Sequence, residues 1–382
     1  MTIAIVGVGE SDISWRSNRP VGALIREAIE RALSDAGLVE SDVDGFVIEG
    51  MGTNRFTPVD EVAFSMGLKE RPFAAQISIA GSGVVAAPKL ARLAIEAGLA
   101  SVVVVYYGLS LSSIEGGPYS FHAEDQMKAS LEMPFGWFGQ PTYFGAMAAR
   151  YRYQYGLDSE DLAVIASTAR EYAMRTPGAL RTDPLPMSKY LDSPYVAEPL
   201  RKVDCCLSND SAAAYVITSI ERARDLSKAP VVVAGVGLAS LPVTQTQYFT
   251  QNPDYLSTAA RKSGPMAMNE AGIGVTDVDI AELYDCFTIT TILQLEDLGF
   301  ADRGEGGSFA REAGIGAHGA LPVNTHGGLL AHSYTGSANH VVEAVRQLRG
   351  ERGDGQIDDV EVALITGLGI PDHATLVLTR DR

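Results

Sequence analysis

One pattern is written twice in this chain of 382 residues. Residues 3–9 read IAIVGVG and residues 231–237 read VVVAGVG. Residues 32–44 (ALSDAGLVESDVD) return as 267–279 (AMNEAGIGVTDVD), with Ala-Gly where a helix stops and Asp-Val-Asp ahead of a strand. A helical pattern at about 338–349 leads to an apolar run at 360–366, as one at about 82–98 leads to 101–107. Several elements recurring in one order, at a spacing of roughly 230 residues, predict a duplicated unit.

The unit is α/β. A short β-rich run at 3–8 closes on Gly7 and Gly9. A helix is expected over 21–36, with Ile25, Ile29, Ala32 and Leu33 on one face and Gly37 as its stop. Strands follow at 43–48 and 101–107. Strands alternating with helices predict a mostly parallel sheet covered on both faces. The halves divide as 1–228 and 229–382, with a different stretch, about 111–202, inserted in the first. It starts rich in Gly and Ser, continues with Met127, Met133, Phe135, Trp137, Phe138, Tyr143 and Phe144, and ends in helical patterns at about 141–155 and 159–175. Such an insertion lines a binding site, forms an oligomer contact, or simply packs on the core.

A formal charge of −17 argues against a phosphate-tracking surface, so nucleic acid is not an expected partner. Three cysteines in so long a chain suit a reducing compartment. The start, MTIAIVGVGESD, lacks a basic leader segment and reads as a strand and turn. The longest apolar run, near 99–108, is about half a membrane span. A soluble, cytoplasmic chain is expected.

Four segments are suited to chemistry. Residues 79–83 (IAGSG) precede a helix, and such a turn presents backbone N–H groups at the positive helix end. Ser82 lacks the Gly-x-Ser-x-Gly setting of an activated serine, because Ala80 stands at the first glycine position. Residues 282–287 (ELYDCF) end a strand of the second half, where open α/β folds bind ligands. Residues 323–336 (VNTHGGLLAHSYTG) are polar, glycine-rich and again precede a helix. They hold His326 and His332, with His340 close behind. No carboxylate or thiol lies at ligand spacing within that segment, so no metal is expected. The last segment, 366–369 (TGLG), reads as a backbone turn at the same sheet edge. Cys205-Cys206 has no second pair and reads as buried small hydrophobes.

Together these segments resemble the thiolase superfamily, in its sterol-carrier-protein and lipid-transfer-protein branch, over essentially the whole chain. ELYDCF resembles that branch's E-x-H-D-C-F. NTHGGLLAHSY resembles N-x-x-G-G-L-L-x-x-G-H, and the following NHVVEAVRQLRG matches the same region. Residues 208–214 (SNDSAAA) resemble the S-D-G-A-A-A that ends the family's insertion. The resemblance implies a duplicated, five-layered α-β-α-β-α thiolase fold with an inserted loop domain. It also implies a homodimer acting on acyl-CoA thioesters, with coenzyme A as part of the substrate and no permanently bound cofactor.

Departures from the family pattern bear on the chemistry. The family's nucleophilic cysteine is Ala80, and its second cysteine position falls at Thr366. The histidine of E-x-H-D-C-F is Tyr284. The histidine of the G-H segment is Tyr334, six residues after Gly328 and sixteen before Gly350. Covalent acyl transfer lacks its nucleophile. The pattern resembles the thiolase-like steroid side-chain aldolases, which implies retro-aldol cleavage of a β-hydroxyacyl-CoA. That reaction needs a base for the hydroxyl, donors for the enolate oxygen, and an acid to return a proton to carbon. Tyr284 and Tyr334 are the expected acid–base pair, in either order, with Asp285 orienting a phenol and His332 as an alternative proton carrier. Gly81, Ser82, Gly83, Asn324 and His326 are the expected substrate-binding residues. Two other readings stand beside this one. One is a thiolase-type acyltransferase, which trapping of an acyl-enzyme would support. The other is a non-catalytic acyl-CoA-binding subunit, which turnover would exclude. The resemblance further implies a small OB-fold and zinc-ribbon partner protein.

Overall fold

The two glycine-paired runs lie side by side at the centre of one sheet. The computed structural model describes residues 1–49, 58–70, 72–79, 81–111 and 123–381. The first half supplies β1 (Ile3–Glu10), β2 (Gly45–Glu49), β3 (Phe73–Ile77), β4 (Val102–Ser110) and β7 (Asp210–Ser219). Its helices are α1 (Val21–Ala36) and α2 (Gly83–Glu96). The inserted stretch carries α3 (Gln140–Tyr155), α4 (Ser159–Ala173) and a small hairpin of β5 (Tyr195–Ala197) and β6 (Leu200–Arg201). The second half supplies β8 (Val231–Ser240), β9 (Ile280–Glu282), β10 (Val362–Leu368) and β11 (Asp372–Arg380), with α5 (Ala260–Ala271), α6 (Thr288–Asp297) and α7 (Ala338–Arg349).

The sheet runs β3-β2-β4-β7-β1-β8-β11-β10-β9. Outward from the central β1–β8 pair, the two sides have the same order. β7 matches β11, β4 matches β10 and β2 matches β9. A single parallel bridge from Val323 to Ala281 stands where β3 stands in the first half. The expected mostly parallel sheet is therefore corrected. β2 pairs parallel with β3 and β4, and β9 with β10. β7 and β11, however, run antiparallel to both their neighbours, and β1 to β8. The sequence conceals β7 because its alanine-rich start carries no strand propensity of its own. Burial between β1 and β4 makes it a strand.

Five strands at about 4.8 Å spacing span about 20 Å. Yet α2 packs against β2, β3 and β4 on one side and β8, β10 and β11 on the other. The two halves of the sheet thus face each other across α2 and α7, while α1 and α5 cover the outer faces. Three apolar clusters correspond to these layers: one under α1, one around α2 and α7, and one joining α5, α6 and the insertion. The result is the expected five-layered duplication. The repeated Gly-Val-Gly has a packing cause. A Cβ at Gly7 or Gly9 would strike the α1 backbone, and one at Gly235 or Gly237 the α5 backbone.

Candidate active site

The site forms where chain segments leave the sheet. After β9 the backbone of Tyr284 is gripped on both sides. Its N–H donates to Thr366 Oγ1 at 2.9 Å, and its C=O accepts from Gln294 Nε2 at 2.9 Å and Thr290 Oγ1 at 3.0 Å. Tyr334 lies between a wide helical turn, Gly328–His332, and α7. Its N–H donates to Asn209 Oδ1 at 2.8 Å. These anchors bring the two phenol oxygens to 2.7 Å, with the rings edge to face. Tyr284 is buried and Tyr334 half-buried.

The turn before α2 closes on the same point. A Cβ at Gly81 would lie 2.8 Å from Tyr284 Cζ, so only glycine admits the ring, and its φ of +39° also favours glycine. Ser82 donates its hydroxyl to the carbonyl of Gly367 at 2.9 Å. It ties the turn to β10 and is not poised as a nucleophile. Gly367 must also be glycine, since a Cβ there would meet Gly81 O at 2.5 Å. Ala80 lies outside the described residues.

Burial pushes both phenols well above the usual tyrosine range. Their shared hydrogen bond separates them: it adds to the rise at Tyr284 and works against it at Tyr334. At 2.7 Å either hydroxyl can donate to the other. Burial likewise raises the thiols of Cys206 and Cys286, which keeps both protonated and neutral. The Cys206 N–H donates to the Cys286 carbonyl at 2.9 Å, so this pair stitches the end of the insertion to the site. Nothing in its sequence spacing pointed to that role.

The other expected site residues are placed differently. The Gly83 N–H is taken by the buried Glu49 carboxylate at 2.7 Å, so it is not free for a substrate oxygen. Asn324 uses both ends of its amide on Leu283, accepting from its N–H at 2.7 Å and donating to its C=O at 2.9 Å. It positions the strand end, with one of its two amide protons committed to Leu283. Asp285 accepts from the Leu329 and Leu330 amides at 2.8 and 3.3 Å, with His340 Nε2 at 3.3 Å. It anchors the turn before Tyr334 and does not orient a phenol. Burial pushes His332 down to about 3, which favours its neutral form, and its Nδ1 meets Ser333 Oγ at 3.0 Å.

His326 belongs to a buried network behind the tyrosines. Its Nδ1 is 3.1 Å from Glu282 Oε2, and its rings neighbours are His332 and His340 at 4.9 and 5.1 Å. The fold here brings in a carboxylate that the local sequence lacks. Glu282, His326 and His340 place ligand-type atoms within 4.8 Å of one another. Glu282 Oε2, His326 Nδ1 and His340 Nδ1 are buried and make no hydrogen bond among the described residues. Asn339 Nδ2 donates to His326 Nε2 at 3.1 Å and to the Ser333 carbonyl at 2.9 Å. That leaves the His326 proton on Nδ1, toward Glu282. Thr325 Oγ1 lies 2.8 Å from Glu282 Oε1 and 2.6 Å from Glu343 Oε1, but has a single proton to give. Burial works to raise Glu343, yet Arg352 at 2.7 Å holds it low. Glu282 therefore keeps its proton, and burial with the Glu343 charge raises it to about 8.

Residues 242–380 match the thiolase C-terminal domain-like family. The chain is 35% identical to the 17-hydroxy-3-oxo-4-pregnene-20-carboxyl-CoA lyase of Mycobacterium tuberculosis, over 98% of each chain. It is 32% identical to the steroid side-chain-cleaving aldolase of Thermomonospora curvata, over 99% of this chain and 98% of that one. The solved structure of the Ltp2-ChsH2(DUF35) aldolase superposes with a TM-score of 0.92 at 32% identity, covering 100% of this chain and 98% of that chain. Sheet order, layers and sequence together define a protein of thiolase fold. The chain belongs to the thiolase superfamily, in its aldolase branch, and is a carbon–carbon lyase.

Proposed function

We propose that the protein cleaves a β-hydroxyacyl-CoA with a steroid side chain by retro-aldol chemistry, using Tyr334 as base and Tyr284 as the donor that steadies it. The observation that carries this reading is the 2.7 Å phenol pair seated against the Gly81 turn. Tyr334 is half-buried where Tyr284 is buried, which suits Tyr334 to meet the substrate hydroxyl. It takes the β-hydroxyl proton. The electron pair of the α–β bond moves to the α-carbon, the carbonyl product leaves, and a thioester enolate remains. The Gly81 and Ser82 amides, at the positive end of α2, suit the enolate oxygen. The enolate carbon then recovers a proton from the phenol pair, which returns to its starting state. Coenzyme A enters only as part of the substrate. The steroid thioester is supported by the related steroid lyases.

Two assemblies belong to the same proposal. Among the described residues β3 is an edge strand with Ala74 exposed, and such an edge suits pairing with a second copy. The insertion exposes Phe135 at 80%, with Phe138, Leu131 and Met127 nearby in the chain, which suits a small partner of the kind named in the Ltp2-ChsH2(DUF35) structure. The free thiols Cys205, Cys206 and Cys286 suit the cytoplasm.

Tyr284→Phe and Tyr334→Phe test the mechanism. Each should lower turnover of a β-hydroxyacyl-CoA by about 10²- to 10⁴-fold with the fold intact. Near-normal turnover in both variants would sink it.

A further inference from the structure

The segment 366–369 has so far served only as a turn, but its first residue does more. Thr366 Oγ1 accepts the Tyr284 N–H at 2.9 Å and donates to Gln294 Oε1 at 2.6 Å. The same Gln294 amide donates from Nε2 to the Tyr284 carbonyl at 2.9 Å and to the Thr290 carbonyl at 2.8 Å. Its Oε1 also lies 3.3 Å from His373 Nε2. Thr366 and Gln294 are both fully buried. The two side chains thus close a ring around one residue, holding both the N–H and the C=O of Tyr284. The Thr366 main chain is fixed in turn, because its carbonyl accepts the Ser337 hydroxyl at 2.8 Å, just ahead of α7.

We propose that Thr366 and Gln294 are positioning residues that set the Tyr284 phenol at hydrogen-bond distance from Tyr334. Fixing that backbone fixes the root of the side chain, and the ring has little freedom once Gly81 and Gly367 close around it. A hydroxyl with its one proton committed to Gln294 is no proton carrier for the substrate. Thr366 acts through Tyr284, and this proposal rests on the catalytic reading of the phenol pair.

The test is Thr366→Val, which keeps the shape and removes the hydroxyl, with Thr366→Ser as the rescue. A displacement of about 1 Å at a reacting group can cost about 10²-fold in rate. T366V should lower kcat by about that factor with KM within about twofold, since the loss falls on the transition state. It should also flatten the rise of kcat with pH, whereas T366S should restore both. In a Tyr284→Phe background T366V should cost little more. A crystal structure of T366V gives a readout independent of activity, and should show the phenol oxygens parted beyond about 3.5 Å. If T366V does not fold, Gln294→Met removes the same grip and is read in the same way. An unchanged phenol distance, or failure of T366S to restore turnover, overturns the positioning role. Normal turnover in Tyr284→Phe with parted phenols in T366V overturns instead the catalytic reading, and leaves the clamp standing.

Discussion

Two phenols sharing one hydrogen bond form a single titrating unit whose behaviour can be signed. Burial raises both, so the phenolate is the minor form at neutral pH. Turnover should therefore climb with pH, approaching tenfold per unit between about pH 6 and 9, and Tyr334→Phe should abolish that slope in a pH–kcat series. Glu282 gives a separate prediction, on stability. Its folded value, about 8, lies above the ordinary 4.5, so its contribution is complete below 4.5 and is lost as pH rises toward 8. His332 and His373 pull the other way. Burial pushes both down to about 3 from 6.5, so their share is complete above 6.5 and is lost as pH falls toward 3. Because the two histidines gain stability over the same interval, the urea midpoint of Glu282→Gln should rise between pH 5.5 and 8 by clearly more than that of the native chain. If the two midpoints change equally, the protonated Glu282 assignment is wrong. The tyrosines were legible in the sequence because each stood in a recognisable segment. The Glu282–Thr325–Glu343 arrangement was not, because it joins a strand end, a turn and a helix that only folding brings together. Asn324 and Asp285 were read as chemical groups from their positions, but the backbone they serve was invisible until its hydrogen bonds were drawn.

At the level of elements, the repeated Gly-Val-Gly shows how much a short motif can fix. It identified β1 and β8, and the structure supplies the cause in the close approach of α1 and α5. Gly237→Ala would push a methyl into the Ser263 carbonyl on α5. It should cost about 1–3 kcal/mol in urea unfolding. Gly274→Ala should stay within about 0.5 kcal/mol, as expected of a surface change; its φ is negative and the nearest atom to a new Cβ is Asp277 Oδ2 at 3.7 Å. Equal costs would show that close packing is not what the motif provides. The helices 21–36 and 338–349 were readable to the residue, because a glycine stops each in a left-handed turn, at φ of 70° and 71°. β7 was not readable, since alanines at 212–214 carry no alternating pattern and both faces of the strand are buried. Missing it turned a mixed sheet into an expected parallel one.

For the whole molecule, the proposed pairing of copies along the edge strand β3 can be tested directly. Ala74→Lys places a charge on that edge and should convert a dimer to a monomer in sedimentation velocity, leaving the far-UV circular dichroism unchanged. A dimer that survives would move the contact elsewhere. The duplication was legible because its order repeats along the chain; the facing of its halves across α2 and α7 was not, because it depends on how the sheet bends. That shared middle layer has a consequence for heredity. The first half brings the amide donors of the Gly81 turn and Asn209, while the second brings both phenols with Thr366 and Gln294. Although the two halves still copy each other in outline, neither retains a full set of reacting parts. A gene severed between them would encode two polypeptides that are chemically mute until they meet again, so the ancestral repeat has become a division of labour that one reading frame must keep together.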